Sequence, residues 1–346
     1  MSADIRIVPV DPRDDGMLES LHSVLQESDR YERAYPMTYT TSELAVTYGA
    51  TPTASAADAW LAFDGDAAVG SLEVNRPLLD NLTLLDASVR VVPEARRRGI
   101  GTQLAQHAFA LAREHGRTTL SCWIAGAQTD PTGRALDTRL RPGEAFAASF
   151  GMTNRLTDLH RVLDLPVPPA RLRELAASIA PHHSDYRLVQ WVGPCPEEYL
   201  DSYCRLRSSI ISEAPRGELE LEDEAYDEKR LRTEEHELER MRRTAYTTAA
   251  VGPDGELVAH TTVVVAGTDP GRAYQWDTLV LPRHRGHRLG LALKVANLSR
   301  MQAGHPDRTE LHTFNAEDNP PMSAVNDAMG FRSVERMGEW QGPVPG

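Results

Sequence analysis

Pro93-Glu94-Ala95-Arg96-Arg97-Arg98-Gly99-Ile100-Gly101 lies between an apolar run and a long amphipathic segment. The run before it, Ala87-Ser88-Val89-Arg90-Val91-Val92, reads as a strand. The segment after it predicts a helix from about Thr102 to Glu114, with Leu104, Ala105, Ala108, Leu111 and Ala112 on one face at the 3.6-residue period. A strand, a short Arg/Gly turn and a helix form an anion cradle. The first N–H groups of a helix lack internal partners and carry the positive end of its dipole. Gly99 and Gly101 let backbone approach a phosphate closely, and Arg96, Arg97 and Arg98 add charge. A dinucleotide fingerprint requires a third glycine where Leu104 stands, and the lysine of a Walker A loop is absent.

The pattern occurs twice. Pro282-Arg283-His284-Arg285-Gly286-His287-Arg288-Leu289-Gly290 aligns with Pro93–Gly101 without a gap. Around it the elements repeat at a spacing of about 185–190 residues. Arg187–Val192 answers Ile5–Val8, and Glu197–Ile211 answers a first helix over 13–29. Trp276–Leu281 answers Ser88–Val92. Strands over 58–63 and 67–75 flank Asp64-Gly65-Asp66, a hairpin turn, and Val251–Ala266 holds a hairpin around Pro253-Asp254-Gly255. Residues 30–57 read as irregular and tyrosine-rich, 143–150 as a short helix and 159–165 as a strand closing the first copy. Pro166-Val167-Pro168-Pro169 reads as a stiff linker before a helix over 170–180. An acid-rich helix is expected from about Glu222 to Arg243, a helix over 291–302, a strand Glu310–Phe314 and a helix ending at Gly330-Phe331.

Composition narrows the function classes. The 346 residues carry a net charge of −13, with 16 basic against 22 acidic residues up to residue 165 and 21 against 28 after it. Two acidic halves exclude nucleic acid as the expected partner and favour a cationic or neutral one. Thirty-five of the 37 basic residues are arginine; the lysines are Lys229 and Lys294. Three cysteines, Cys122, Cys195 and Cys204, fit a reduced cytoplasm, and no Cys/His cluster predicts a metal site. No signal-peptide core or membrane-spanning run is visible.

The R-x-x-G-x-G turn, its strand and helix, and the stretch from Asn319-Pro320-Pro321-Met322 to Gly330-Phe331 resemble the GNAT acetyltransferase family, over nearly the whole chain and twice. The resemblance implies an α/β fold of two tandem GNAT domains, each a central mixed sheet flanked by helices with a splayed strand. The expected domains are 1–165 and 184–346, joined by a proline-rich linker and helix over 166–183. It implies acetyl-CoA as donor, a small-molecule or peptide amine as acceptor, direct transfer in a ternary complex, a cytoplasmic location, and a monomer or homodimer. The pyrophosphate would lie on Arg96, Arg97, Arg98, Gly99, Ile100, Gly101 and Thr102, and on Arg285, Gly286, His287, Arg288, Leu289 and Gly290. Pantetheine would run along the backbone of Val91 and Val92 and of Leu279 and Val280, with Asn319 as a further contact. The family's general base stands near the splay. Glu73 and Asp86 are candidates in the first copy, Asp277 and His260 in the second, although Glu73 and His260 equally fit outward positions of amphipathic strands and the two aspartates fit turn ends. The family's general-acid tyrosine is missing: counting back from Gly330 and Gly151 puts Asn326 and Ala147 there. Arg288 stands where the family has its first glycine. With both tyrosines gone, a non-catalytic acyl-CoA-binding or scaffold role is the rival reading.

Overall fold

A computed structural model describes residues 5–31, 33–37, 39–137 and 139–346. Two compact units emerge: residues 1–123, 146–153 and 340–346 form the first, residues 124–145 and 154–339 the second.

In the first unit, β1 (Ile5–Pro9) precedes α1 (Asp15–Arg30), whose N-terminus is capped by Asp14 accepting from the Gly16 and Met17 amides. Leu18, Leu21, Val24 and Leu25 recur at helical spacing, so one face of α1 is buried. The expected irregular segment contains α2 (Thr41–Tyr48). Its start was legible: Thr40 and Glu43 form a capping box, each bonding the other's backbone. β1, β2 (Ser55–Asp64), β3 (Ala67–Pro77) and β4 (Leu84–Val91) follow one another in the sheet, each pairing antiparallel with the next. Gly65, at φ 62°, makes the β2–β3 turn. α3 (Ile100–Glu114) packs Leu104, Ala105, Ala108 and Ala112 inward, and β5 (Thr119–Gln128) lies parallel to β4. α4 (Pro142–Ala148) follows; of β5 and α4, only the residues up to Trp123 and from Phe146 on belong to this unit.

The next strand, β6 (Thr153–Asp164), lies in the second unit from Asn154 on and pairs antiparallel with a later strand of that unit, from Asp164↔Glu310 to Asp158↔Ala316. Correspondingly, residues 340–346 belong to the first unit: the Val344 amide donates to the Thr118 carbonyl at 2.9 Å, and Gly342 lies against Met152. Residues 154–164 thus cluster with the second unit and residues 340–346 with the first.

The proline-rich segment after β6 is packed. Val167 is buried and both its backbone groups bond Gln302, while α5 (Pro169–Ile179) shares a core with the second unit through Leu172, Leu175 and Ile179. β7 (Arg187–Val192), α6 (Leu200–Ser208), α7 (Ile210–Glu213) and α8 (Glu228–Arg240) come next. The acidic helix starts later than expected because Asp227 caps it, and β8 (Arg243–Val251) takes up its last expected residue. β9 (Leu257–Ala266) and β10 (Arg272–Val280) continue the antiparallel run; α9 (Leu289–Gly304) returns the chain to β11 (Glu310–Ala316), parallel to β10. α10 (Pro320–Met329) ends at Gly330, where the sequence places the helix end, and β12 (Arg332–Pro343), a strand that sequence reading did not name, completes the chain. Among the described residues no helix is long and apolar enough to cross a membrane.

Candidate functional site

The two cradles are built alike. In the first, β4 keeps register with β5 from Leu84↔Thr119 to Asp86↔Ser121 and parts from it there. In the second, β10 keeps register with β11 from Arg272↔Glu310 to Gln275↔Thr313 and parts likewise. The strand ends beyond these points, Val91 and Leu279-Val280 among them, have lost a neighbour on one edge. That leaves a slot with backbone donors and acceptors on its wall. A single turn of tight helix follows each strand, Pro93–Ala95 and Pro282–His284, and then the cradle helix begins.

Both helices start from a left-handed residue with no side-chain cap: Gly99 at φ 85° and Arg288 at φ 56°. The first intrahelical bonds run from Gln103 to Gly99 and from Ala292 to Arg288, so the amides before them face outward. A second left-handed residue sits two positions earlier in each, Arg97 at φ 63° and Gly286 at φ 88°. The cradles thus share one backbone conformation with Gly and Arg exchanged between its two left-handed positions. Positive φ costs a non-glycine residue roughly 1–2 kcal/mol, so each cradle holds one strained arginine. The substitution at 288 keeps the uncapped helix end and adds a charge beside it.

The arginines divide by task. Arg96 Nε donates to the Val91 carbonyl at 3.0 Å and Arg285 Nε to the Val280 carbonyl at 3.1 Å, clamping the turn onto its own strand. Arg96 also lies over Tyr31, 4.5 Å from the ring centroid. Arg98 pairs with Asp64 at 2.6 Å and Arg285 with Glu213 at 2.9 Å. Arg97 and Arg288 are exposed and carry the charge available to a ligand. A Cβ on Gly99 would meet nothing within 4 Å, so space for an anion exists there, while Gly101 sits under the Phe146 ring. Gly290 sits likewise beside Val325. The residues after these two, Ala147 and Asn326, therefore occupy equivalent places, as the count from the sequence has it.

The expected bases fare unequally. Asp86 is the last β4 residue paired before the splay, with Asn75 Nδ2 3.5 Å away. Burial pushes its carboxyl up, against the hydrogen bonds of Asn75 and Ser121. Next to it, burial and then the Asp86 charge push the Cys122 thiol up to about 12. Its counterpart in the second splay is Gln275, whose amide is spent on Thr261 and the Thr262 carbonyl. Glu73 has both oxygens engaged: Tyr48 donates to one at 2.6 Å and Arg90 to the other at 2.5 Å, with Arg90 also bridging to Asp29 at 3.0 Å. That favours the structural alternative for Glu73.

In the second unit a one-residue bulge between Gln275 and Thr278 carries Asp277, whose carboxylate lies 3.9 Å from Arg207. Arg207 is stacked over Tyr226 at 4.5 Å and pairs with Glu234 at 3.3 Å. His260 is fully buried, edge-on to Tyr203, with no hydrogen bond to either ring nitrogen among the described residues. Burial, then Arg207, hold its pKa down to about 3. Asn319 caps α10, accepting from the Met322 amide at 3.2 Å. Asn326 is fully buried, accepting from Lys294 at 2.7 Å and donating to Asn315 at 2.9 Å. Sequence reading passed over Lys294 and Asn315. The available signal was one of only two lysines lying on the cradle helix itself.

Residues 24–131 match the acetyltransferase (GNAT) family. A comparison with curated protein sequences gives no match. Among solved structures, the chain is similar to a tandem GNAT protein from the clavulanic acid biosynthesis pathway, at 30% identity over 99% of each chain and a TM-score of 0.77. It is also similar to a GCN5-related N-acetyltransferase from Sphaerobacter thermophilus, at 16% identity over 99% of this chain and 96% of that one, TM-score 0.64, a likeness of fold.

Proposed function

The chain belongs to the GNAT acetyltransferase family, whose chemistry is acyl transfer, and on that footing we propose that it moves an acetyl group from acetyl-CoA to the amine of a small molecule or peptide. The observation that carries this reading is the first cradle: a strand parting from its parallel neighbour at Asp86, then an uncapped helix with Gly99 open at its start. The outward amides of Ile100, Gly101 and Thr102 and the Arg97 guanidinium would bind the pyrophosphate. The backbone of Val91 and Val92 would align the pantetheine in the slot.

Transfer is direct. The acceptor nitrogen attacks the thioester carbon, the C–N bond forms, the nitrogen's proton passes to Asp86, and the C–S bond breaks with its electron pair going to sulfur. A carboxyl raised by burial at the root of the splay suits the base role. The Ala147 position offers no acid, so solvent protonates the thiolate in the first unit. In that feature lies the support for the second reading, acyl-CoA binding without turnover at one of the two cradles.

Titration calorimetry of the whole chain with acetyl-CoA tests the assignment. Binding that Arg97→Ala weakens is expected, as is release of free thiol with some member of an amine panel. No binding refutes the family function for this chain; binding without thiol release across the panel favours the non-catalytic reading.

A further inference from the structure

Lys294 lies on α9, the helix that starts at the second cradle, and its side chain is among the largest fully buried in the protein. Its Nζ donates to Asn326 Oδ1 at 2.7 Å, and the Asn326 amide donates in turn to Asn315 Oδ1 at 2.9 Å. Asn315 donates to the Ala316 carbonyl at 2.9 Å. This ladder runs from the cradle helix through α10 to β11. It reaches β11 two residues beyond Thr313, the last residue paired with β10, on the far wall of the splay.

The first unit has nothing comparable. Lys294, counted from the cradles, is answered by Ala105, and Asn326, counted back from Gly330 as Ala147 is from Gly151, by Ala147, both alanines buried. An apolar pair in one copy stands as a polar pair, one member of it titratable, in the other. The residue type matters too. Thirty-five of 37 basic residues are arginine, yet the buried position holds a lysine. A guanidinium stays charged and brings five donors; an amine can lose its proton and needs few acceptors.

We propose that Lys294 is a positioning residue of the second acyl-CoA site: through Asn326 and Asn315 it ties the far wall of the splay to the cradle helix, and so sets the opening that receives the pantetheine. This rests on reading the second cradle as an acyl-CoA site. The charged groups facing Lys294 are few. Arg161, from β6, opposes a charge on it and is itself paired with Asp327 at 2.6 Å; the Phe331 ring lies 5.6 Å from Nζ. Burial, and then Arg161, bring its pKa down to about 7. The uncharged amine brings two donors and no charge, whereas the ammonium brings three donors and a buried charge with a like charge beside it. Acidification therefore loosens the ladder and weakens the second site.

The test uses the whole chain and CoA. Calorimetry at pH 8 and pH 6 is expected to find two bound equivalents, one of which weakens by about tenfold on acidification, the factor for a neutral-form requirement at a pKa near 7. Lys294→Met is expected to remove that pH dependence while leaving the other site unchanged. In parallel, Lys229→Arg, at an exposed position of α8, leaves a single lysine signal in carbon-13 ε-labelled protein. That signal is expected to titrate near pH 7 and to move on CoA saturation. Two bound equivalents with identical pH profiles in wild type and variant, or a lysine signal indifferent to CoA, overturns the proposal and leaves the second cradle a CoA site. One bound equivalent, abolished by Arg97→Glu, overturns the reading of the second cradle and the proposal with it. The lysine titration needs no variant at position 294, so it decides the matter even if Lys294→Met fails to fold.

Discussion

Lys294→Met has a calculable effect on folding, whatever the second site binds. An unfolded lysine titrates near 10.5 and the folded one near 7. Below pH 7 both states hold the proton, and the fold bears the full cost of a buried ammonium. At roughly 1.4 kcal/mol per tenfold, that cost is about 5 kcal/mol. Between pH 7 and 10.5 the unfolded chain holds a proton that the folded one has shed. Stability therefore rises with pH there, by up to about 1.4 kcal/mol per pH unit, and above 10.5 the cost is gone. Methionine fills the same space without a charge but orphans the Asn326 oxygen, at about 1–3 kcal/mol. At pH 6 the variant should therefore exceed wild type by about 2–4 kcal/mol, and wild type should recover about 2–3 kcal/mol of that by pH 9. Urea unfolding of both proteins at half-unit pH steps measures the difference, in which all other titrating groups cancel. A difference constant within about 0.5 kcal/mol from pH 6 to 9 would show that the amine is not titrating in this range, and the reasoning from burial fails.

Other outcomes follow from the first unit. Arg97→Ala should weaken CoA binding about tenfold with little change in melting temperature, since its side chain is exposed and its φ strained; an unchanged Kd makes Arg97 mere surface. Glu73→Ala should cost about 2–4 kcal/mol in thermal unfolding, because Arg90 and Tyr48 lose a shared partner in a largely buried network; undiminished stability with lost activity would instead make Glu73 the base. Asp86→Asn should stabilise the fold at neutral pH and lower the transfer rate at least a hundredfold. The sign follows from a folded pKa raised by burial: stability is lost as pH rises through it, and the amide removes that loss. A chain ending at Glu339 should speed amide exchange in β4 and β5 while β8 and β9 keep their protection; uniform exchange in both would mean residues 340–346 do not belong to the first unit.

Much of this was legible in the sequence because it depends on local pattern. The cradles announce themselves through Pro, Arg and Gly at fixed offsets, and α1, α3 and α9 through apolar spacing. The counted equivalence of Ala147 and Asn326 agrees with their neighbours, Phe146 beside Gly101 and Val325 beside Gly290. What stayed hidden is non-local. Nothing in Thr153–Asp164 says which strand it will join, since an extended apolar segment fits any edge of matching register. Arg96, Arg97 and Arg98 look alike in sequence, and only the fold assigns a clamp, an anion-facing charge and an ion pair among them. Lys294 sits in a largely apolar helix where a cation reads as surface, and its partners come from α10 and β11.

The allocation of strand segments has a consequence for how the protein is made. Thr118 is synthesised long before Val344, yet their backbones bond in the finished first unit. Ribosomal emergence is vectorial, so the first 165 residues leave the exit tunnel with β6 lacking its native neighbour, β11, and with Thr118 and Met152 lacking theirs. Closing a loop of that length is slow, and open strand edges recruit other chains in the interval. The yield of the protein in cells is therefore expected to depend on translation speed and holdase supply more than on the stability of the finished fold.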